Sequence, residues 1–336
     1  MTFTKIIELE PENADAYYSL SATYLNLKKY KQALAYINKA IGLNPQEANY
    51  YVRRGIIHFR VDNYQKALDD YQKAVEIKPT DYNHFILSDF YIKTGNYKQA
   101  VVVASNYIES NPNEAGAYRK RGFLYNDLGD YLHAISDFDK AIALDPSGRN
   151  YCGRGIAYYL SGNYPQAFVD LDKALELSPE NEMAYYYRGC TNLRTENYQN
   201  AIADLDKAIL LAQKSTRLSL GYGLLSYAYY YRGMAYFDIE NYEQAIIDFT
   251  EAIKLKKDVN SYFLRGRAYF AMKNYQRAVA DYTDGIKLNS KDALLFYHRG
   301  WTYSILGNKK QAKSDYNKAL KLNRALVQIL TNYTIK

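Results

Sequence analysis

The chain has 336 residues, of which 48% are hydrophobic and 24% charged, a balance that is ordinary for a folded soluble protein. Its formal net charge is +7 without any dense run of Lys or Arg, so nucleic-acid binding is not expected. Two cysteines are too few for a disulfide framework or a cysteine metal cluster. No run approaches 18 apolar residues, which excludes a membrane-spanning helix from the prediction.

The first predicted element is a short helix within residues 1–13. The stretch FTKIIELEP at 3–11 has the pattern of KAVEIKP at 73–79, where a second helix of a repeated pair ends. We expect a partial helix that either caps the array or belongs to a longer protein. Acidic residues near the start and the lack of an apolar core give no indication of a signal peptide, so we expect a cytoplasmic location.

From residue 14 onward the sequence repeats with a period close to 34 residues. Six of the seven prolines, at 11, 45, 79, 112, 146 and 179, are separated by 34, 34, 33, 34 and 33 residues. Each period contains aromatic residues at helical spacing, a short polar or glycine break such as GNY at 162–164, and a second helical segment. This pattern predicts an array of antiparallel helix pairs.

Small residues recur where the two helices of a pair must approach closely. Positions are counted from the first residue of each predicted unit. An alanine stands at position 20 of every unit, and the residue at position 27 is small in eight of the nine units. The predicted units are 14–47, 48–80, 81–114, 115–147, 148–181, 182–215, 226–258, 259–292 and 293–326. About ten extra residues, 216–225, either lengthen a helix or form a loop, and residues 327–336 are expected to complete a C-terminal capping helix.

The residues at positions 4, 8, 11, 20, 24, 27 and 32 resemble those of the tetratricopeptide repeat (TPR) family. The fourth unit shows the resemblance best, with Tyr118, Gly122, Tyr125, Ala134, Phe138, Ala141 and Pro146. The resemblance implies an all-α fold, a solenoid of helix–turn–helix repeats forming a right-handed superhelix. It also implies a non-enzymatic protein–protein interaction scaffold that binds a peptide or protein segment in its concave groove.

The third unit departs from the family pattern. It has Ser88 where glycine is usual, and Ala104 and Tyr107 exchange the usual large and small positions. We therefore expect its local packing to differ from that of the other units.

An arginine at position 7 and an aspartate at position 23 occur together in seven units. The first and third units lack both residues, with Leu20 and Tyr36 in one and Leu87 and Val103 in the other. Both positions lie eight residues from the turn, so an antiparallel pair places them side by side. The predicted ion pairs are Arg54–Asp70, Arg121–Asp137, Arg154–Asp170, Arg188–Asp204, Arg232–Asp248, Arg265–Asp281 and Arg299–Asp315. We prefer this structural role to an arginine ladder for an acidic ligand, because every arginine has its aspartate.

The resemblance places the binding groove along the first helices. Its predicted residues are Tyr18, Val52, Phe85, Arg119, Phe123, Tyr159, Tyr186, Arg194, Tyr230, Phe237, Phe263, Arg267, Phe270, Tyr297 and Trp301. Aromatic residues and arginine are enriched in protein-binding hot spots, and Trp301 is the only tryptophan. The expected partner is a protein or peptide with apolar anchors and some negative charge; no membrane is expected as a partner.

The remaining residues give no indication of catalysis. The four histidines lie in different units without ligand spacing, so no catalytic, cofactor or metal site is predicted. Cys152 and Cys190 are expected to be lone packing thiols. Two alternatives stay open: a regulatory or targeting TPR module of a larger multidomain protein, and a self-associating assembly.

Overall fold

The computed structural model describes residues 6, 7, 9–214, 218–323 and 325. Within these residues it contains eighteen long α-helices and no β-strand. The predicted all-α architecture of paired helices is confirmed. Contacts divide the chain after Pro146 into two compact units, called the first and the second unit, and each repeat within them is a pair of helices.

The helices follow one another as antiparallel pairs. The first unit contains α1 Ala14–Asn26, α2 Tyr30–Leu43, α3 Ala48–Arg60, α4 Tyr64–Ile77, α5 Asp81–Lys93, α6 Tyr97–Ser110, α7 Ala115–Asp127 and α8 Tyr131–Leu144. The second unit contains α9 Gly148–Leu160, α10 Tyr164–Leu177, α11 Glu182–Arg194, α12 Tyr198–Lys214, α13 Leu218–Asp238, α14 Tyr242–Leu255, α15 Val259–Ala271, α16 Tyr275–Leu288, α17 Ala293–Ile305 and α18 Lys309–Leu322. Odd-numbered helices are the first helices of their pairs, and even-numbered helices are the second.

The turn within each pair follows from two adjacent residues. The first has a positive φ, which glycine adopts without strain at Gly129 (φ 75°) and Gly162 (φ 81°). The next residue is usually asparagine or aspartate. Its side chain caps the second helix at Asn63, Asp130, Asn163, Asn241 and Asn274; Asn241, for example, accepts a hydrogen bond from the Gln244 amide at 3.3 Å. The breaks noted in the sequence are therefore tight turns, and five of them carry a side-chain cap.

Small residues allow the helices of a pair to approach. The nine alanines at position 20 are all buried. Glycine at position 8 lies against the large side chain at position 24, and a Cβ added at Gly266 would lie 2.6 Å from Cε1 of Tyr282. Tyr282 has no exposed surface, so the missing side chain of Gly266 makes room for a buried ring.

The third pair, α5 and α6, exchanges large and small side chains. Ser88 replaces the glycine and faces the second helix, where its hydroxyl donates to the Ala100 carbonyl at 3.5 Å. Tyr107 is buried at the position that is small elsewhere, with its ring centroid 4.9 Å from that of His84. The bulk of the core therefore lies at a different place in this pair, and Ala104 leaves space where other pairs have a large side chain.

The extra residues between the sixth and seventh pairs are helical from residue 218. Helix α13 has 21 residues, against 13 in the other first helices, and α12 has 17. Residues 216 and 217 lie outside the described residues, as do 327–336, where the capping helix was predicted. Of the predicted N-terminal helix, residues 6, 7 and 9 are described as helical.

Candidate binding surface

The seven arginines at position 7 each bind the aspartate of the same pair. The shortest nitrogen–oxygen distances are 2.6 or 2.7 Å, and the aspartate side chains are at most 9% exposed. In Arg265, Nε and Nη2 donate to the two oxygens of Asp281 at 2.9 and 2.6 Å. Such a two-point contact is the strongest form of an arginine–carboxylate pair.

Six of these arginines are also seen to bind the preceding helix pair, which the sequence analysis did not foresee. Nη1 of Arg265 donates to Thr250 Oγ1 at 2.9 Å, and Nη1 of Arg188 donates to Asp172 at 2.6 Å. The acceptors occupy position 25 of the preceding pair: Asn38, Ser105, Asp172, Asp206, Thr250 and Thr283. The sequence feature that could have predicted this contact is a polar residue at position 25, directly after position 24, where most pairs have a large side chain.

These contacts leave little of each arginine free for a ligand. Each guanidinium also lies 5.4–5.9 Å from the ring at position 4 of its own helix. The hydrogen bond to Asp137 raises the pKa of Arg121, while burial raises the pKa of Asp281 against the effect of Arg265. The arginines are therefore structural cations between helices.

First helices of successive pairs contact one another. In the second unit α9 contacts α11, α11 contacts α13, and α13 contacts α15; in the first unit α1 contacts α3. Aromatic rings mediate several of these contacts, such as Tyr159 with Tyr187 at 5.5 Å and Phe270 with Trp301 at 4.7 Å between centroids. Within each unit, the first helices therefore share one side of the stack.

Three predicted groove residues are buried and do not belong to this surface. Val52, Tyr186 and Tyr297 are 4%, 8% and 4% exposed. Tyr297 packs against Tyr316 of the following helix, with 5.6 Å between ring centroids. The prediction for these three residues is corrected: their side chains fill space between neighbouring helices.

The other predicted residues keep part of their surface. In the first unit these are Tyr18, Phe85, Arg119 and Phe123, of which Phe85 and Phe123 are exposed. In the second unit they are Tyr159, Arg194, Tyr230, Phe237, Phe263, Arg267, Phe270 and Trp301. We call this second set the aromatic–arginine face.

Arg267 links two first helices on the aromatic–arginine face. Its guanidinium lies 4.9 Å from the ring centroid of Phe237 in α13 and 5.8 Å from that of Phe263 in its own helix. The Arg267 and Arg194 side chains are exposed, and a hydrogen bond to Tyr159 raises the pKa of Arg194. Both cations therefore face solvent beside apolar rings, an arrangement that attracts anions and planar groups.

The described residues contain no cluster of three side chains suited to bind a metal ion. Cys152 and Cys190 are free and buried, and burial raises the pKa of each thiol to about 12. A thiol with such a pKa is protonated at neutral pH and is a poor nucleophile. Among the described helices, none combines the length and the apolar character that a membrane span requires.

Comparison with protein-family models decides the family. Models described as tetratricopeptide repeat match residues 2–35, 20–83, 115–147, 149–181, 184–215, 226–258, 259–292 and 293–326. The chain belongs to the TPR family. The matched segments do not include residues 84–114 of the TPR array, which contain most of the pair with the exchanged side chains.

Solved structures share the TPR fold at low sequence identity. A tetratricopeptide repeat protein from Parabacteroides merdae is 18% identical, covers 76% of this chain and 98% of its own, and has a TM-score of 0.54. PilF from Pseudomonas aeruginosa is 16% identical over 66% of this chain and 97% of its own, with a TM-score of 0.56. The Cut9–Hcn1 hetero-tetramer structure gives 14% identity, 99% and 92% coverage, and a TM-score of 0.52. A comparison with curated proteins gave no significant match.

Proposed function

We propose that the protein is a non-enzymatic scaffold that binds a protein or peptide segment on the first-helix side of its TPR array. TPR repeats are typical protein-interaction modules, and this chain consists largely of them. The aromatic–arginine face is the observation that supports the proposal, because large rings stay only half-buried there by the described part of the chain. Rings with arginine give such surfaces their binding energy.

The charge of this face favours a partner with acidic residues. Arg194 and Arg267 are exposed, and Asp238 lies close enough to Arg267 for their charges to interact. A segment with aromatic or aliphatic side chains flanked by Asp or Glu fits both the rings and the cations. This agrees with the concave-groove prediction, without its three buried residues.

Peptide display on the intact chain tests this function. We expect random peptide libraries to yield ligands with apolar residues next to Asp or Glu. Fluorescence anisotropy should show the best synthetic peptide binding at least about ten-fold more weakly to Trp301→Ala and to Arg267→Glu.

Ile247→Ala is the matched control. Ile247 is a large apolar residue of the same unit, 51% exposed, on the second helix α14. Its truncation should leave the affinity unchanged. Equal binding of the selected peptide to Trp301→Ala, Arg267→Glu and the intact chain would overturn the assignment of this face.

A further inference from the structure

A pocket opens on the first unit between α5 and α7, above α6. Its cavity measures about 180 Å³. Ala104 and Ala117 contribute to the apolar lining, which also includes Ile92 and Leu124. Phe85 and Phe123 line it as well and are 46% and 38% exposed.

The exchanged side chains of the third pair explain why the pocket exists. Position 24 holds Phe138 in the fourth pair and Leu171 in the fifth, and both are completely buried. In the third pair this position is Ala104, so the space that a large side chain fills elsewhere remains open. Tyr107 does not refill it, because its ring is directed to His84 at position 4. The pocket thus lies where this pair departs from the packing of the fourth and fifth pairs.

The size of the pocket suits one large apolar side chain. A cavity of about 150 Å³ with an apolar lining binds benzene in a well-studied protein. Two exposed phenylalanines beside an alanine-lined pocket provide the edge and face contacts that aromatic rings prefer. A phenylalanine side chain from a partner would therefore bury its ring there.

The rim of the pocket is acidic. Asp81 binds Lys120 at 2.6 Å, and Asp89 binds Lys93 at 2.6 Å. Asp127 also lines the pocket and forms no ion pair among the described residues. Burial of part of the carboxyl raises its pKa, while the residue keeps enough exposed surface for an incoming cation to reach it.

We propose that this pocket receives a phenylalanine-sized apolar side chain followed by lysine or arginine in a partner segment. The ring would fill the space above Ala104, and the cation would pair with Asp127. The inference rests on the proposed function, because it also assigns partner binding to first helices. The two sites differ in the charge of the partner residue that they bind: this pocket favours a basic residue, and the aromatic–arginine face favours an acidic one.

Methyl NMR on the full chain tests the pocket with three small probes. The probes are the capped dipeptides acetyl-Phe-Arg-amide, acetyl-Phe-Glu-amide and acetyl-Ala-Arg-amide, and the reporters are the methyl groups of Ile92 and Leu124. We expect the Phe-Arg probe to shift both reporters and to bind about three- to five-fold more tightly than Phe-Glu. Ala-Arg should cause no saturable shift.

Two variants separate filling from charge. Ala104→Leu gives the third pair the residue that Leu171 provides in the fifth, and it should abolish saturable shifts with both phenylalanine probes. Asp127→Asn leaves the cavity open, so both phenylalanine probes should still bind, with equal affinity. Thermal unfolding of Ala104→Leu at or above the temperature of the unaltered chain shows that the variant folds.

Several results would overturn the pocket assignment. These are unchanged probe binding in Ala104→Leu, equal affinity of the intact chain for Phe-Arg and Phe-Glu, and dimerisation that Ala104→Leu abolishes. The last would make the pocket an interface between copies of the chain. The two proposals can fail separately. If the pocket assignment fails but the selected acidic peptides still require Trp301 for binding, the proposed function stands. If those peptides do not bind as expected but acetyl-Phe-Arg-amide binds the pocket, only the binding role of the aromatic–arginine face is overturned.

Discussion

At the scale of single residues, the arginine at position 7 has three contacts: its own aspartate, a polar residue of the preceding pair, and an aromatic ring. Burying a charge pair gives little net stability, because desolvation offsets much of the attraction. Removing one partner is more costly, since the other charge stays buried without compensation. The seven Arg–Asp ion pairs therefore determine how the helices align, and they add little to the free energy of unfolding.

Arg265 and Asp281 allow this to be measured. Arg265→Leu should lower the free energy of unfolding by about 3–5 kcal/mol, because the Asp281 carboxylate is left without its donors. Arg265→Leu with Asp281→Val, the residues that the third pair has at Leu87 and Val103, should recover most of the loss. Urea denaturation of the two single variants and the double variant checks this.

A surface pair is the control for this cycle. Lys287 and Asp284 are 2.7 Å apart with side chains 70% and 44% exposed. Lys287→Leu should change the free energy of unfolding by less than about 1 kcal/mol. If Arg265→Leu were equally mild, the guanidinium would not be compensating a buried charge.

His298 gives the second unit a predicted sensitivity to acid. Burial, together with the nearby charge of Arg267, lowers its pKa to about 4, so the folded protein holds the ring neutral. In the unfolded chain the pKa is about 6.5, and stability is therefore complete above this pH and is lost as the pH falls toward 4. Between pH 7 and pH 5 the loss should reach up to about 2 kcal/mol.

His298→Phe removes the titrating group and keeps a ring beside Phe263 and Trp301. As the pH falls from 7 to 5, the free energy of unfolding should decrease less for His298→Phe than for the unaltered chain. A constant difference across this range would show that His298 titrates alike in the folded and unfolded chains.

At the scale of the helix pair, packing follows complementary sizes at positions 8 and 24. Glycine faces a large side chain in most pairs, whereas Ser88 lies in the pair with Ala104. The sequence predicted the pairs, their turns and the Arg–Asp pattern, because each depends on spacing within one period. It did not predict which large side chains at position 5 are buried, because Val52 and Tyr297 are covered by neighbours whose sizes vary from pair to pair.

Gly266→Ala tests the size rule within one pair. The new Cβ would lie 2.6 Å from the fully buried ring of Tyr282, so we expect a loss of about 1–3 kcal/mol in the free energy of unfolding. Gly42→Ala is the matched control in helix α2, because nothing lies within 4 Å of its added Cβ. It should stabilise the protein by about 0.5–1 kcal/mol. Calorimetry or urea denaturation that ranks the two variants the other way would contradict the rule.

At the scale of the whole molecule, repeats are stabilised by their own packing and by contacts with adjacent repeats. In the pair α5 and α6, Leu87 has no donor for the hydrogen bond that an arginine at position 7, such as Arg265, gives to the preceding pair. The pair also contains the open pocket above Ala104. These features make it the weakest point of the first unit, an inference that the period alone did not permit.

Hydrogen exchange measured by mass spectrometry tests this weakness. Amides in α5 and α6 should exchange faster than those in α3, α4, α7 and α8, because local opening there breaks fewer interactions. Ala104→Leu should slow exchange in α6 by filling the cavity. Equal protection of helices α3 to α8 would show that the open pocket and the missing hydrogen bond to α4 have no local effect.

The contact between Arg232 and Asp206 shows where this protein tolerates a change of length. In the other pairs the arginine and its acceptor in the preceding pair are 15 or 16 residues apart, whereas these two are 26 apart and still bonded. Ten additional residues at a junction between pairs therefore leave the register on both sides intact. Foreign sequence grafted between α12 and α13 should be accommodated in the same way, which makes this junction a practical site for a fluorophore or an affinity tag.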